Sequence, residues 1–331
     1  MQNALILLMA QINPTVGAIE ANADKIIQII QAHQDKHDLI VFPELVLTGY
    51  PPEDLLLRPE LMTRVEHALK RIAEATQNTH AIIGHPHQDN THLYNALSII
   101  HQDEIKAIYK KQHLPNMGVF DEKRYFEPGP EAPCVLTINQ HTIGFCICED
   151  IWKSGPVEQI IDAGASLLIC INASPFEISK FESRIKLLQS HAPNPLNFIY
   201  VNQVGAQDEL VFDGQSFALS HQGEIKARAP AFIEHLESVI IENQTIQSTQ
   251  TKIAPPLEAH ALIYQALCTG LAEYVNKNNF PGVLFGLSGG IDSALTLAIA
   301  VDALGVDRVQ VLALPSRYTS DVSMEECDKI L

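Results

Sequence analysis

The sequence predicts an α/β protein with mixed sheets, built as two domains. Three observations carry that expectation. Short apolar runs alternate with amphipathic helical patterns as far as Asn202. A polar Thr/Gln-rich stretch closed by Pro255-Pro256 then interrupts the alternation. Beyond it, an apolar run passes through Ser288-Gly289-Gly290-Ile291-Asp292-Ser293 into a helical pattern. A length of 331 residues with 46% hydrophobic content is enough for two cores.

Taken in order, Ala4–Gln11 reads as a first buried strand. No positive segment precedes it and no small-residue cleavage site follows, so it does not read as a signal peptide. Apolar runs at 38–42, 81–84, 96–100, 135–138, 143–147, 167–171 and 198–202 read as further strands. The clearest helix is 61–75, where Leu61, Val65, Leu69, Ile72 and Ala73 share one face and Arg64, Glu66, Lys70, Arg71 and Glu74 cover the other. Residues 1–243 are expected to form the first domain, 244–258 a linker, and 259–331 part of a second domain. In that second part a helix at 260–276, a strand at 283–287, a helix at 292–304 capped by Gly305 and a strand at 309–314 make one βαβ crossover.

Composition excludes several classes of function. A net charge of -17 argues against gripping nucleic acid or an anionic membrane, so neither partner is expected. No apolar stretch approaches the ~20 residues needed to cross a bilayer. The six cysteines are scattered, with no CxxC pair, which fits a reducing cytoplasm. His85-Pro86-His87 has no Cys, His or Asp companions nearby and reads as a loop rather than a metal site; no metal is expected in the first domain.

Three chemically active residues share one placement. Glu44, Lys111 and Cys148 each follow a strand-like run, where α/β proteins display reacting groups. Together they supply a thiol to attack a carbonyl, a carboxylate to take and return its proton, and an ammonium to stabilise an oxyanion. Lys111 is expected to favour the thiolate, and a buried Glu44 to accept the proton. Singly, each has a plainer reading: Cys148 as a small core residue, Glu44 as a strand-end turn residue, Lys111 as a solvated charge.

The blocks Phe42-Pro43-Glu44-Leu45 with Thr48-Gly49-Tyr50, Lys111-Gln112-His113-Leu114-Pro115-Asn116 and Ile147-Cys148-Glu149-Asp150-Ile151-Trp152 resemble the three signatures of the nitrilase superfamily. Their joint occurrence in this order outweighs the plainer readings. The resemblance implies a four-layer α-β-β-α sandwich with Glu44 as general base and acid, Lys111 as oxyanion stabiliser and Cys148 as nucleophile. It further implies a second glutamate eleven positions after the lysine, which is Glu122, and an oxyanion contribution from the amide of Glu149. Ser174 and Lys180 match positions that hold the α-amino and α-carboxylate groups of a glutamine substrate. Asp150 and Trp152 read as hydrogen-bonding and packing supports.

The turn at 288–293 is a phosphate cradle. Gly289 and Gly290 let the backbone approach an anion, Ser288 and Ser293 offer hydroxyls, and the amides opening the helix point the same way. Ser288, Gly289, Gly290, Ile291, Asp292 and Ser293 resemble the pyrophosphate loop of the ATP pyrophosphatases. Segment 314–320 is expected to be a second loop near the nucleotide. Only 38 residues follow Ser293, so the domain begun here is expected to be incomplete.

Joined to the first three blocks, this loop makes the whole chain similar to the glutamine-dependent NAD synthetase family, with Ala206 and Leu314 departing from its pattern. That resemblance implies ATP, glutamine and deamido-NAD as substrates and Mg²⁺ as the triphosphate's counter-ion. It implies no cofactor for the glutaminase half, a channel for ammonia, a homo-oligomer and a cytoplasmic location. Two other readings stay open from the residues: a stand-alone nitrilase-type amidase with a vestigial tail, and a nucleotide-binding fragment with an idle thiol.

Overall fold

The computed structural model describes residues 4–191, 196–247, 253–315, 317 and 321–330. In chain order the first elements are β1 (Ala4–Gln11), α1 (Ile19–His33), β2 (Leu39–Val41), α2 (Pro59–Ala75), β3 (His80–Asp89), β4 (His92–His101) and β5 (Glu104–Lys110). Next come β6 (Cys134–Ile138), β7 (His141–Ile147), α3 (Pro156–Asp162), β8 (Leu167–Asn172), α4 (Lys180–Ser190) and β9 (Asn197–Asn202). A hairpin of β10 (Val204–Gln207) and β11 (Leu210–Asp213) follows, then β12 (Phe217–Leu219), β13 (Ile225–Arg228), β14 (His235–Glu242) and β15 (Thr245–Gln247).

Two mixed sheets arise from this order. One runs β15-β14-β1-β2-β3-β4-β5 and the other β13-β12-β9-β8-β7-β6. Leu5, Leu7, Met9, Val41, Ile82, Leu97 and Ile99 of the first join Phe145, Ile147, Ile169, Ile171 and Ile199 of the second in one apolar cluster. Burying these side chains against each other is the main force holding the sheets together. Helix α1 buries Ile19, Ala23, Ile26 and Ile30, and α2 buries Leu61, Val65, Leu69 and Ile72, each along a 3.6-residue stripe. Helix α3 buries Val157 and Ile160 in the same cluster as the second sheet. The architecture is the α/β sandwich, helices outside and sheets inside.

Three local readings of the sequence differ from what is observed. His85-Pro86-His87 lies inside β3, paired with residues 94–96 of β4, and not in a loop. Proline is tolerated there because β2 pairs with β3 only at His80, Ala81 and Ile82, so no neighbour on that side needs its N–H. The buried His85 ring instead hydrogen-bonds Ser98 Oγ at 2.7 Å, and burial pushes it down to about 4. Thr245–Gln247, at the start of the stretch read as linker, pairs with β14 because Ile246 is an apolar residue with a core to enter. Helix α1 also has no named counterpart among the elements expected from the sequence; its buried stripe includes the polar Asn22, which interrupts the apolar pattern.

The chain divides into two compact units, one of Met1–Gly205 with Phe212–Pro256 and one of Ala206–Val211 with Leu257–Leu331. The second unit contains α5 (Ala259–Lys277), β16 (Val283–Gly286), α6 (Ile291–Leu304), β17 (Val309–Leu312) and α7 (Asp321–Ile330). Strands β16 and β17 pair in parallel from Val283↔Val309 to Gly286↔Leu312, joined through α6. This is a βαβ crossover. In the expected second loop, Ser316, Tyr318, Thr319 and Ser320 lie outside the described residues, as do 248–252 of the expected linker.

Candidate active site

Strand ends deliver the reacting groups. Past β2 the chain turns through Pro43-Glu44-Leu45, with Leu45 at φ +46°. The floor under this turn is Gly84: a Cβ there would lie 2.5 Å from Leu45 N and Pro43 O and 2.8 Å from Glu44 Cα, so only glycine allows the approach. Glu44 is fully buried. Its Oε1 accepts from Lys111 Nζ at 2.7 Å and from Asn95 Nδ2 at 2.7 Å, and its Oε2 accepts from the Ala173 amide at 2.9 Å, just past the end of β8.

Lys111 follows β5 and is held at both backbone ends, its N–H donating to Asn95 O at 2.8 Å and its carbonyl accepting from Gly129 N at 2.7 Å. Its ammonium also donates to both oxygens of Glu122 at 2.9 Å. Burial alone would depress this amine, but the carboxylates of Glu122 and Glu44 hold it well above its ordinary value. Glu122 is buried although it sits in an Asp-Glu-Lys-Arg run. Tyr50 Oη donates to it at 2.9 Å, and burial, opposed by Lys111 and reinforced by Glu44, pushes it up to about 7.

Cys148 opens a short helical turn directly after β7 and has φ +45°, a left-handed backbone rare for a residue with a side chain. The buried thiol is within electrostatic reach of Glu44, Lys111 and Glu122. Lys111 favours the thiolate, as the sequence leads one to expect, but it is not the dominant influence. Burial first, and Glu44 second, push the thiol well above its usual value, and Lys111 only partly offsets them. Burial and Glu44 thus favour the protonated thiol, whose proton a base would take during attack.

The outer residues of the site are less uniform. The Ser174 amide donates to Asn202 Oδ1 at 2.9 Å, while its Oγ accepts from Arg184 Nη2 at 3.1 Å. Arg184 is fully buried and forked on Asp213, with Nη1–Oδ2 2.9 Å and Nη2–Oδ1 3.0 Å. Lys180 does not join the Glu44–Lys111–Glu122 group. Its Nζ lies 3.4 Å from Glu177 Oε1 and 5.3 Å from the Trp152 ring centroid. Glu149 pairs its side chain with Lys153 at 3.3 Å.

Several residues here have no place in the sequence reading. Asn95, which bridges Glu44 and Glu122, sits at the polar end of an apolar strand run, and Arg184 and Asp213 carry no motif that marks them. The only available signal was the position of Asn95 next to a run of buried residues. A cavity of about 600 Å³ lies elsewhere, between α2 and strands β3 and β5, and none of Glu44, Lys111, Glu122 or Cys148 lines it. A cleft lined by Tyr50, Glu53, Val119, Glu122, Tyr125 and Phe126 does include Glu122 of the buried group, but not Glu44, Lys111 or Cys148.

The two-sheet sandwich agrees with what related proteins show. Residues 9–251, well over half of the chain, match the carbon-nitrogen hydrolases. The chain belongs to the carbon-nitrogen hydrolase family. Residues 263–331 separately match NAD synthase. Among curated relatives of this family member, a glutamine-dependent NAD(+) synthetase of Acinetobacter baylyi is 41% identical over 97% of this chain and 59% of its own. One of Aquifex aeolicus is 40% identical over 97% of this chain and 63% of its own. A solved glutamine-dependent NAD+ synthetase of Acinetobacter baumannii, in complex with ADP, superposes with a TM-score of 0.93 at 41% identity, covering 97% of this chain and 61% of the other. The nitrilase-superfamily amidase of Nesterenkonia shares the fold, with a TM-score of 0.64 over 72% of this chain and 91% of its own at 21% identity. The carbon-nitrogen hydrolase chain described here thus spans about three fifths of the length of its curated synthetase relatives.

In the second unit, the loop at 288–293 has the form of an anion cradle. Ser288 and Ser293 hydroxyls are 3.1 Å apart, and Ser293 Oγ donates to Gly290 O at 2.9 Å. Gly289 has φ +75°, and a Cβ there would lie 2.2 Å from Ser323 O. The amides of Ile291 and Asp292 open α6, with Asp292 in its first turn.

Proposed function

We propose that the first unit is a glutamine amidohydrolase and that the chain belongs to a glutamine-dependent NAD⁺ synthetase, a ligase using glutamine as amido donor. The observation that carries the hydrolase half is the Lys111 ammonium held between Glu44 and Glu122 beside the Cys148 thiol.

In this reading Cys148 Sγ attacks the side-chain carbonyl of glutamine while Glu44 takes the thiol proton. The oxyanion is stabilised by the Lys111 ammonium and the Glu149 amide. Glu44 returns the proton to the leaving nitrogen, releasing ammonia and a glutamyl thioester. Water then attacks the thioester, again losing a proton to Glu44, and glutamate leaves as the thiol re-forms. Glu122 keeps Lys111 charged and in place. Lys180 pairs with the α-carboxylate, and Ser174 holds the α-amino group; its Oγ accepts from Arg184 through one lone pair and has a second with which to accept from the substrate ammonium.

The second half of the reaction falls to the loop at 288–293. Its hydroxyls and amides suit the pyrophosphate of ATP, which would adenylate the nicotinate carboxylate of deamido-NAD before ammonia displaces AMP. Mg²⁺ would neutralise the triphosphate. No group of three or more His, Cys, Asp or Glu able to hold a metal occurs among the described residues, so the ion would be carried through the phosphates. The relatives' names and the two family matches support this half. A cytoplasmic homo-oligomer completes the reading. No helix among the described residues is long and apolar enough to cross a membrane.

The test is ammonia release from glutamine and from simple aliphatic amides, by the wild type and by Cys148→Ala. Release from glutamine in preference to acetamide, abolished by the substitution, is expected. Preference for acetamide would reassign the chain to the stand-alone amidases. Loss of ATP·Mg²⁺ binding in Gly289→Ala, measured by calorimetry, tests the loop, and sedimentation of the purified protein tests the oligomer.

A further inference from the structure

One buried carboxylate near the reacting group has no part in the chemistry above. Asp150 is wholly inaccessible and is surrounded by donors. Its Oδ1 accepts from the amides of Gln112 at 3.1 Å and His113 at 2.9 Å; its Oδ2 accepts from Ile147 N at 3.1 Å and Tyr109 Oη at 2.9 Å. Ile147 immediately precedes Cys148. Gln112 and His113 immediately follow Lys111.

We propose that Asp150 is a positioning residue that sets the separation of the Cys148 thiol and the Lys111 ammonium by clamping the backbone beside each. The need for such a clamp follows from the topology. Cys148 leaves β7 of the six-stranded sheet and Lys111 leaves β5 of the seven-stranded sheet, so no strand ladder relates the two. Cys148 is also held at φ +45°, a conformation that persists only where surrounding contacts over-determine it. An ionised carboxylate is the side chain suited to this task, because it accepts at both oxygens and donates at neither. Asparagine has the same shape but would turn an NH₂ group toward at least one of these donors, leaving a buried N–H unpaired.

The clamp rests on the hydrolase reading for its turnover test, so a second measurement is needed that requires no substrate. In the intact protein, Asp150→Asn is compared with wild type for glutamine-dependent ammonia release and for the rate of Cys148 alkylation by iodoacetamide. Both are measured well below the melting temperature, with circular dichroism to verify folding. The expected result is a kcat lower by about 30-fold or more with KM within about twofold, and alkylation slowed by about tenfold, the sizes expected for a misplaced reacting group. Tyr109→Phe removes one of the four donors and is expected to lower kcat a few-fold at unchanged KM. Slowed alkylation in a protein that does not hydrolyse glutamine would keep the clamp and overturn the substrate reading. A folded Asp150→Asn variant with wild-type alkylation and kcat overturns the clamp. If Asp150→Asn does not fold, Tyr109→Phe decides: a few-fold fall supports the clamp, and wild-type kcat and alkylation overturn it.

Discussion

The ammonium of Lys111 lies 2.9 Å from each carboxylate oxygen of Glu122; the lysine side chain is wholly buried and the glutamate nearly so. A buried lysine gripped in this way stays charged and cannot swing away. Replacing Glu122 with glutamine removes one of its two counter-charges and leaves only Glu44 to hold it. Glu122→Gln is expected to lower glutaminase kcat by about 10²-fold with a smaller change in KM, since a charge poised for the oxyanion is loosened. Steady-state kinetics showing an unaltered kcat would remove Glu122 from the proposed site.

The same glutamate makes stability depend on pH. Burial raises Glu122 from 4.5 to about 7, so the folded protein binds this proton more tightly than the unfolded chain does. Its contribution to stability is full below pH 4.5 and is lost as pH rises through about 7. Relative to Glu122→Gln, wild-type stability should therefore fall between pH 4.5 and about 7. Urea midpoints for both proteins across that range check the sign, and a difference that grows in the wild type's favour with pH would contradict it.

Arg184 and Asp213 form a wholly buried fork that also reaches Ser174. Arg184→Met leaves Asp213 as an uncompensated buried charge and is expected to cost about 3–5 kcal/mol by denaturant titration. Arg184→Lys keeps a charge but loses the planar fork, and is expected to raise KM for glutamine more than it lowers kcat. Equal urea midpoints for Arg184→Met and wild type would show that the pair does not hold the fold.

Gly84 lies directly beneath Glu44, where an added methyl group meets backbone atoms at 2.5 Å and has no flexible side chain to displace. Gly84→Ala should destabilise the protein by about 1–3 kcal/mol and displace Glu44 from Lys111. A thermal melt and an ammonia-release assay measure both effects. Wild-type values in each would mean that the turn can shift without consequence.

Much of this site could be read from the chain alone, because strand ends announce themselves. Glu44, Lys111 and Cys148 each stand where an apolar run stops, and that placement is local information. Glu122 was a harder case: its charged neighbours describe a surface, yet Lys111 and Tyr50 draw it inside. Arg184 was out of reach, since a charge on a helix shows its partner only after β11 brings in Asp213. The acidity of Cys148 was only half legible for the same reason. The pull of a lysine toward the thiolate can be guessed from motif order, but burial and the opposing charge of Glu44 depend on packing.

What the amino-acid order determined by itself was the set of elements with strong periodicity, the residues at their ends, and the strand-turn-helix form of the loop at 288–293. Those features depend on neighbours a few positions away. Tertiary structure alone decided which ends meet, which charges are deprived of water, and how the exits of two separate sheets are tied together through Asp150. Hydrogen-bond partners 27 to 129 positions apart in sequence, such as Asn95 with Glu122 and Ala173 with Glu44, exist only once the sandwich has closed.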